Sequence, residues 1–239
     1  MPSTQLEHCF QENFNYSHKN PYHQKLKDFE QFVLTDKEGE KFRGAWNQHF
    51  FKREQPVILE IGSGYGHFML EYCQRYPEHH YVGLDYRFKR SYQLARKLSD
   101  FENKNFCFLR AKGERLQFLF APEELDQIFF FFPDPWPKTR HHKKRLFQAA
   151  FLAQCEKALK KGGQLLVKTD HSGYFQWMLE HFAIYQKQSN QLKIIFQSSD
   201  LHSDSQACPH TVLKEIPTKF EKLFLSQGKK IKALVIEKL

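Results

Sequence analysis

An acidic residue held between prolines and followed closely by basic residues is the part of this sequence best suited to chemistry. Residues 129–138 read Phe-Phe-Phe-Phe-Pro-Asp-Pro-Trp-Pro-Lys, in which the acid is Asp134. The aromatic run predicts a strand buried on both faces, and the prolines end it because proline has no backbone N–H. Asp134 is therefore predicted to stand on a stiff turn at the end of a buried strand, where a carboxylate can stabilise a cationic group.

Basic side chains follow this turn without an intervening acid. Between Pro135 and Cys155 there is no Asp or Glu, and eight consecutive residues carry five cationic side chains, namely Lys138, Arg140, Lys143, Lys144 and Arg145. Phosphate groups are the natural partners of such a patch. An Asp-Pro turn and a solvated basic face are the ordinary explanations of the two halves taken singly. Because the acidic turn and the basic run lie on one loop, the sequence favours a functional site beside a bound polyanion.

A glycine-rich turn between a strand and a helix predicts a second ligand-binding element. Glu60 precedes Gly62, Gly64 and Gly66, and Asp85 closes the next strand. The spacing differs from the Gly-x-Gly-x-x-Gly of dinucleotide sites, and an acid at Glu60 would repel a pyrophosphate but attract an ammonium. Asp85 is placed to accept both hydroxyls of a ribose. The pattern favours S-adenosylmethionine over NAD, and its ordinary alternative is a tight turn followed by a surface acid.

Alternation of strands and helices from Pro56 onward predicts the fold. The strands are expected at residues 57–61, 80–85, 105–109, 126–132, 164–169, 192–197 and 230–237. The helices are expected at residues 67–75, 88–98, 114–120, 143–160 and 175–185. This order is typical of an α/β fold with a doubly wound, mostly parallel, seven-stranded sheet. Ligands of such sheets bind at the carboxyl ends of the strands, so four acids should converge on one crevice: Glu60, Asp85, Asp134 and Asp170.

Bulk composition indicates the domain organisation and the class of partner. The 239 residues are predicted to form one domain, residues 55–239, behind a polar and partly irregular arm, residues 1–54, with a helix near 46–52. The arm is interpreted either as a partly ordered tail or as a segment that orders on nucleic acid. A formal charge of +9 and a pI near 9.2 favour a polyanionic partner, nucleic acid before an anionic membrane.

Cysteine usage and hydropathy predict the compartment. The cysteines are odd in number and scattered, at Cys9, Cys73, Cys107, Cys155 and Cys208, which is typical of reduced thiols in a cytoplasm. No apolar run approaches the roughly eighteen residues of a membrane span, and the N-terminus lacks a basic-then-apolar signal. We therefore expect a soluble, cytoplasmic protein that does not enter a membrane.

Metal chemistry and covalent catalysis are both disfavoured by the sequence. His141 and His142 are adjacent, so their side chains point apart, and no Cys or carboxylate completes a tetrahedral set. The pair His79-His80 is expected to begin a strand. No Cys or Ser is paired with a base at a useful spacing, which favours direct transfer to an acceptor that already has a free lone pair.

Together these residues resemble the bacterial tRNA (guanine-N7-)-methyltransferase family, whose members are class I, Rossmann-like, S-adenosylmethionine-dependent enzymes. The resemblance covers residues 56–239, and the Pro-Asp-Pro-Trp segment with its basic tail is far more specific than the glycine loop. The matching motifs are Glu60-Ile-Gly-x-Gly-x-Gly66, Gly83-Leu-Asp85, Phe132-Pro-Asp134-Pro-Trp136-Pro-Lys138-x-Arg140-His141-x-Lys143-x-Arg145, Thr169-Asp170 and Thr218-Lys-Phe-Glu221. Taken alone, the last motif predicts only a helix start capped by Thr218.

The resemblance implies roles for these residues and a target, a guanine in the tRNA variable loop, at position 46. It implies that Asp134 is catalytic and that the cofactor is held by Glu60, Gly62, Gly64, Asp85, Asp134 and Lys112. It implies that the target guanosine is held by Lys138, Asp170, Thr218, Lys219, Phe220 and Glu221. It implies that the tRNA lies on Arg140, His141, His142, Lys143, Lys144 and Arg145. Both a monomer and a homodimer remain open.

Two residues depart from the family pattern. Lys112-Gly113 stands where the family usually carries Asp or Asn and then Ala, beside the adenine, which leaves that contact open between Lys112 and the nearby Glu114. Asp85 replaces the commoner Glu and keeps the carboxylate. Three alternatives stay in view: a non-catalytic RNA-binding protein on the same fold, a methyltransferase for a cap or a small molecule, and an NAD-dependent oxidoreductase. The basic patch argues against a small molecule, and the glycine spacing argues against NAD.

Overall fold

A computed structural model describes residues 11, 22–102, 104–205 and 207–239. Its centre is one sheet of eight strands, which are β1 Val33–Thr35, β2 Val57–Ile61, β3 His80–Leu84, β4 Phe106–Arg110, β5 Leu125–Phe131, β6 Leu159–Thr169, β7 Leu192–Ser198 and β8 Lys232–Lys238. The α-helices are α1 Tyr22–Leu26, α2 Asp36–Glu40, α3 His67–Arg75, α4 Phe88–Ser99, α5 Leu116–Leu119, α6 Ala149–Ala158, α7 Ser172–Gln186, α8 Val212–Glu215 and α9 Lys219–Ser226. Short 3-10 helices span Lys27–Phe29, Gly113–Arg115 and Thr139–Lys144, and a π-helix spans Trp46–Phe51.

The strand order β1-β4-β3-β2-β5-β6-β8-β7 fixes where a ligand can bind. The pairs from β1 to β6 are parallel, and β8 lies antiparallel between β6 and β7. From β2 the chain builds outward through β3 and β4, and then returns to add β5 on the other side. The order therefore reverses between β2 and β5, and ligands of such sheets bind beyond the carboxyl ends at that reversal.

Apolar residues on both faces of the central strands bury the sheet between two helical layers. One cluster joins the sheet to α6 and α7 through residues such as Phe151 and Tyr174, and the other joins it to α3 and α4 through residues such as Phe68 and Leu94. All five residues of β2, of β3 and of β4 are buried, as continuous apolar runs predict for parallel strands. The predicted α/β doubly wound class is confirmed, with eight strands in the sheet instead of the predicted seven.

The additional strand lies in the N-terminal arm. Val33–Thr35 pairs in parallel with Phe108–Arg110 at the edge of the sheet, and Trp46 is fully buried in the core. The indole Nε1 of Trp46 donates a hydrogen bond to the carbonyl of Leu119 at 2.9 Å. The described part of the arm thus packs against the sheet, and the helix expected near residues 46–52 is present as the π-helix Trp46–Phe51. Most of residues 1–21, including Cys9, lie outside the described part.

A second correction concerns the predicted helix over residues 143–160. This stretch contains the end of the 3-10 helix Thr139–Lys144, an extended turn at Arg145, the helix Ala149–Ala158, and the first residues of β6. Leu159 pairs with Leu125 in the sheet, and Lys160 Nζ lies 2.8 Å from Asp126 Oδ2. The last two residues of this stretch, Leu159 and Lys160, therefore belong to β6. The first residues are not α-helical, because the backbone is extended at Arg145.

The remaining fold predictions concern membranes and thiols. Among the helices of the described residues, none is long and apolar enough to cross a membrane. Among the described residues, Cys73, Cys107, Cys155 and Cys208 are free thiols. His80 begins β3 as expected, and its ring stacks on Phe51 with 4.0 Å between the ring centroids.

Candidate active site

The glycine loop after β2 is held against the end of β3 by Asp85. The backbone N–H of Gly64 donates to Asp85 Oδ2 at 3.1 Å, and the N–H of Arg87 donates to Oδ1 at 2.9 Å. Gly62 has φ +92°, and a Cβ at this residue would meet no atom within 4 Å. The loop therefore presents bare backbone to an open space beside a carboxylate, which is the arrangement that lets a ligand approach closely.

Glu60 lies beneath this loop and is almost fully buried. Its Oε2 accepts a hydrogen bond from the hydroxyl of Tyr81 at 3.0 Å. Burial raises the pKa of Glu60 to about 7, with a smaller contribution from the nearby charge of Asp85, and the Tyr81 hydrogen bond opposes the rise. Near neutral pH this carboxyl is therefore poised to ionise if a cationic group is brought to it.

The turn that carries Asp134 has an unusual backbone. Phe132 and Trp136 have φ of 48° and 43°, a left-handed conformation that costs energy for bulky side chains. The N–H of Phe132 donates to the carbonyl of Lys168 at 2.7 Å, which anchors the turn to β6. The side chain of Asp134 is 65% exposed, and its Oδ2 lies 3.6 Å from Arg87 Nη2. Asp134 is thus presented on a fixed turn at the mouth of the crevice.

Arg145 braces this turn from inside the protein. Its Nε donates to the carbonyl of Pro135 at 2.8 Å, and its guanidinium lies 4.8 Å from the ring of Tyr174 and 4.9 Å from that of Trp177. The residue is buried, and burial lowers the pKa of its guanidinium. In this structure Arg145 packs inward against the Asp134 turn, unlike the exposed residues around it, and its contact with RNA stays a prediction.

Lys138, which is predicted to hold the target guanosine, and the other members of the predicted RNA-binding run lie at the surface. Lys138, Arg140, Lys143 and Lys144 are exposed, and His141 and His142 are half-buried. Lys144 Nζ lies 4.8 Å from the ring of Trp136, and His142 packs edge-on against Trp177. Partial burial lowers the pKa of His141, and the neighbouring cations lower it further. This run forms a basic surface that continues directly from the Asp134 turn.

The motif at residues 218–221 forms a capped helix start that is tied to a buried lysine. Glu221 N–H donates to Thr218 Oγ1 at 3.1 Å, and Thr218 N–H donates to Glu221 Oε2 at 3.2 Å, a capping box. Lys168 Nζ donates to Glu221 Oε2 at 2.5 Å, and both side chains are 0% exposed. His202 Nε2 lies 2.8 Å from Glu221 Oε1. Thr218 caps the helix as the motif predicts, and Glu221 is engaged within the protein.

The remaining candidates for substrate binding lie around the same opening. Asp170 follows β6, and its Oδ2 accepts a hydrogen bond from Lys229 Nζ at 3.0 Å. Phe220 is 50% exposed and stacks on Phe224, which in turn packs against Phe132 at 5.7 Å between ring centroids. Lys219 is exposed beside it. An aromatic surface thus runs from the Asp134 turn to the first turn of α9.

Lys112 and Glu114 lie at the far side of the crevice, after β4. Lys112 Nζ is 5.9 Å from the centroid of the Tyr86 ring, and Tyr86 directly follows Asp85. Burial raises the pKa of Glu114, and the charge of Lys112 opposes the rise. The structure places Lys112 beside the end of β3, and the contact of either residue with an adenine stays a prediction.

These residues fit the requirements of S-adenosylmethionine. The open backbone at Gly62 offers space, Asp85 offers carboxylate oxygens beside that space, and Glu60 and Asp134 offer negative charge for an ammonium and a sulfonium. Asp85, Glu60, Asp134 and Asp170 follow or end the adjacent strands β3, β2, β5 and β6 in that spatial order. The four acids therefore lie at one edge of the sheet, with Glu60 beneath the surface, and their convergence on one crevice stays a prediction.

A separate cleft of about 350 Å³ lies at the opposite edge of the sheet. Its lining includes Pro56, His79 and the ion pair between Asp126 and Lys160, all near the amino ends of the strands. The glycine loop and Asp134 do not line this cleft, so we assign the chemistry to the carboxyl edge. In the described part of the chain, no group of three His, Cys, Asp or Glu residues could hold a metal ion.

Comparison with known proteins agrees with this site. A family model described as "Putative methyltransferase" matches residues 54–234. A bifunctional glycosyltransferase/methyltransferase of Fusobacterium nucleatum is 34% identical over 225 residues, which are 93% of this chain but only 33% of that protein, so this chain spans about a third of its length. A tRNA (guanine-N(7)-)-methyltransferase of Enterococcus faecalis is 34% identical over 86% of this chain and 90% of its own.

Solved structures support the same architecture. The 16S rRNA methyltransferase KamB superposes with a TM-score of 0.57 at 16% identity, covering 86% of this chain and 95% of KamB. At that identity the likeness establishes the fold alone. The fold and the site therefore define a class I methyltransferase with a Rossmann-like sheet. Within that class, the chain belongs to the tRNA (guanine-N(7)-)-methyltransferase family, as its motifs predicted.

Several residues of the site were missed by sequence reasoning. Arg87 reaches Asp134 across the crevice, Lys168 holds Glu221, and His202 completes the group around that carboxylate. Arg87 sits in a basic helical pattern and Lys168 in an apolar strand, so neither carries a local signal of its role. Only the tertiary structure brings Arg87 and Lys168 to the site.

Proposed function

We propose that this protein transfers a methyl group from S-adenosylmethionine to N7 of a guanine in tRNA. Family membership supports the reaction, and the resemblance points to guanine 46 in the variable loop as the target. The observation that carries the proposal is the position of Asp134 on a strained turn. On one side this turn faces Arg87, next to the proposed cofactor site, and on the other side it continues into the basic surface. A small-molecule methyltransferase has no need of that surface.

The proposed cofactor supplies a methyl group on a cationic sulfur. Glu60 and Asp85 would hold the cofactor, Glu60 through its ammonium and Asp85 through its ribose. The Asp85 oxygens accept two backbone N–H groups, which hold the carboxylate in position for the cofactor. Preorganisation of this kind lowers the ordering cost of binding.

Guanine N7 has a free lone pair near neutral pH, so the reaction requires no general base. Methylation makes the purine cationic, and Asp134 would stabilise that charge as it develops. The stiffness of the turn keeps the carboxylate in place without reorganisation, and the Arg145 brace supports that stiffness. Positioning of the guanine is then the main remaining task of the chain.

The basic surface would hold the phosphates of the tRNA. Lys138, Arg140, Lys143 and Lys144 are exposed on one side of the Asp134 turn. The aromatic surface at Phe220 and the Thr218–Glu221 cap lie on the other side. A guanine unstacked from the tRNA could lie between them, since RNA-modifying sites commonly stack a displaced base on aromatic side chains.

Incubation with labelled S-adenosylmethionine and bulk tRNA, followed by digestion to nucleosides, tests the proposal. We expect 7-methylguanosine as the labelled product, and none from a matched transcript with adenine in place of guanine 46. Label in another nucleoside would contradict the reaction, and label in the substituted transcript would contradict the position.

The same preparation tests the non-catalytic alternative. That alternative requires a decayed cofactor pocket, and Lys112 is the residue that raised it. Calorimetry with S-adenosylmethionine, in the absence of tRNA, should show saturable binding by the proposed enzyme. A protein that binds tRNA but gives no heat with the cofactor would support the non-catalytic reading.

A further inference from the structure

We propose that Lys168 is a positioning residue that sets the substrate guanine relative to Asp134. This inference rests on the proposed function and concerns how the two halves of its site are held together. Lys168 lies in β6, in register with Phe131 of β5 and Ala233 of β8, and its side chain is 0% exposed. It is not among the residues to which the family motifs assign a role.

The main chain of Lys168 fixes the catalytic turn. Its carbonyl accepts the N–H of Phe132 at 2.7 Å, immediately after β5 ends and two residues before Asp134. Phe132 is left-handed at φ 48°, so this hydrogen bond holds a strained residue in place. This backbone hydrogen bond therefore fixes the position of the Asp134 turn relative to β6.

The side chain of Lys168 fixes the other half of the site. Its ammonium donates to Glu221 Oε2 at 2.5 Å and to the carbonyl of Leu213 at 3.2 Å, and it lies 4.6 Å from the ring centroid of Phe131. The carboxylate of Glu221 in turn accepts the Thr218 N–H of the capping box. One residue therefore sets the distance between the Asp134 turn and the Thr218–Glu221 cap.

Energetics favour a positioning role over a purely stabilising one. A fully buried ion pair loses hydration on both partners, and apolar replacement of such pairs is often neutral or stabilising. A pair that contributes little to stability can still be selected for the geometry that it imposes. Here that geometry joins the strand that leads to Asp170 to the first turn of α9, next to the exposed Phe220.

The test uses three variants of the full chain: Lys168→Met, Glu221→Gln, and the double variant. Met has nearly the length of Lys without the charge, and Gln retains the capping box because Gln also serves at that cap position. The single variants each leave one unpaired buried group, whereas the double variant leaves no buried charge at this point. Lys160→Met is the matched control, since it removes an ion pair from the other end of β6.

We expect Lys168→Met to lower the kcat for 7-methylguanosine formation by about tenfold or more, at a temperature well below its melting temperature. The Kd for tRNA should stay within about threefold, because phosphate contacts dominate RNA affinity, and kcat is measured with S-adenosylmethionine saturating. The loss in the double variant should equal that of either single variant, since all three break one linkage. Lys160→Met should leave kcat unchanged.

Two outcomes would overturn the inference. A kcat of Lys168→Met within about twofold of wild type would show that the linkage does not position the substrate. A loss in the double variant equal to the product of the single losses would show that the residues act separately. Failure of the proposed function is recognised beforehand, because the wild-type protein would then form no 7-methylguanosine at all.

Discussion

Asp134 Oδ2 lies 3.6 Å from Arg87 Nη2, across the crevice that separates the end of β3 from the end of β5. The backbone N–H of the same arginine donates to Asp85, so Arg87 touches two of the acids assigned to the site. Both members of the ion pair are substantially exposed, and such pairs contribute at most about 1 kcal/mol to stability. The relationship matters more for ligands than for folding, because a cationic ligand must share Asp134 with Arg87.

Arg87→Gln is expected to shift the preference of the protein toward the cationic cofactor. S-adenosylmethionine carries a sulfonium and S-adenosylhomocysteine a neutral thioether, so loss of a nearby guanidinium favours the former. We expect the ratio of their Kd values to change by about two- to fivefold in favour of S-adenosylmethionine, measured by calorimetry. Arg96→Gln, in the last turn of α4, is the control. An unchanged ratio of the two Kd values in Arg87→Gln would show that the guanidinium does not act on the sulfonium.

Cofactor affinity is expected to depend on pH through Glu60. Burial raises the pKa of Glu60 to about 7 from an ordinary value of 4.5, so the free protein retains this proton at pH 6. Binding of an ammonium favours the carboxylate, so binding should release a proton at pH 6 and grow tighter as the pH rises toward about 7.5. Calorimetry in buffers of different ionisation enthalpy measures the release. Equal proton release by Glu60→Gln would contradict the assignment.

The same shift bears on stability, with the opposite trend. Because the raised pKa favours the protonated form in the folded state, the contribution of Glu60 to stability is full below pH 4.5 and is lost as the pH rises through about 7. Glu60→Gln should therefore flatten the fall in the free energy of unfolding over this range. Urea unfolding at a series of pH values measures it, and a slope unchanged by the substitution would show that burial does not perturb this carboxyl.

Charge reversal in the basic surface is expected to weaken tRNA binding in a salt-dependent way. Lys143→Glu with Lys144→Glu removes two phosphate contacts, so the slope of log K against log salt should become shallower by roughly two. Reversal of Lys187 and Lys193, which are also exposed but lie at the end of α7 and in β7, is the matched control. If both pairs of substitutions changed the slope equally, this would show that net charge governs binding and that this surface does not.

Arg145→Met is expected to lower stability without affecting the salt slope of tRNA binding. The variant loses the hydrogen bond to the Pro135 carbonyl and the guanidinium contacts with Tyr174 and Trp177. A loss of about 1–3 kcal/mol is expected, equivalent to roughly 2–4 °C in Tm per kcal/mol for a chain of this size. Thermal unfolding and the salt dependence of tRNA affinity check both parts. A shallower salt slope in the variant would show that Arg145 contacts the RNA.

Much of the fold was accessible from the sequence because local signals agreed with the tertiary structure. The strand at Val57–Ile61 and the helix at His67–Arg75 have the predicted bounds, since an apolar run ends at glycines and helical spacing follows. Gly66 between them has φ +69°, and a Cβ there would lie 2.1 Å from Leu94 Cδ1. The acids at the strand ends could be assigned to one edge because parallel topology places them there.

Other features were inaccessible because long-range contacts create them. Val33–Thr35 is a strand only because β4 offers it an edge, and three residues are too few for a periodic signal. Arg145 lies in a basic run whose other members face solvent, and only the packing of α7 shows that it points inward. The burial of Glu221 likewise depends on Lys168, which is 53 residues away in the chain.

The central claim is that Asp134 stabilises the charge that methylation creates on the purine. The most direct test is the single-turnover rate of 7-methylguanosine formation by Asp134→Asn, with S-adenosylmethionine and tRNA both saturating. Asparagine keeps the shape and removes the charge, and we expect a rate lower by on the order of a hundredfold. A rate close to that of the wild-type protein would contradict the claim.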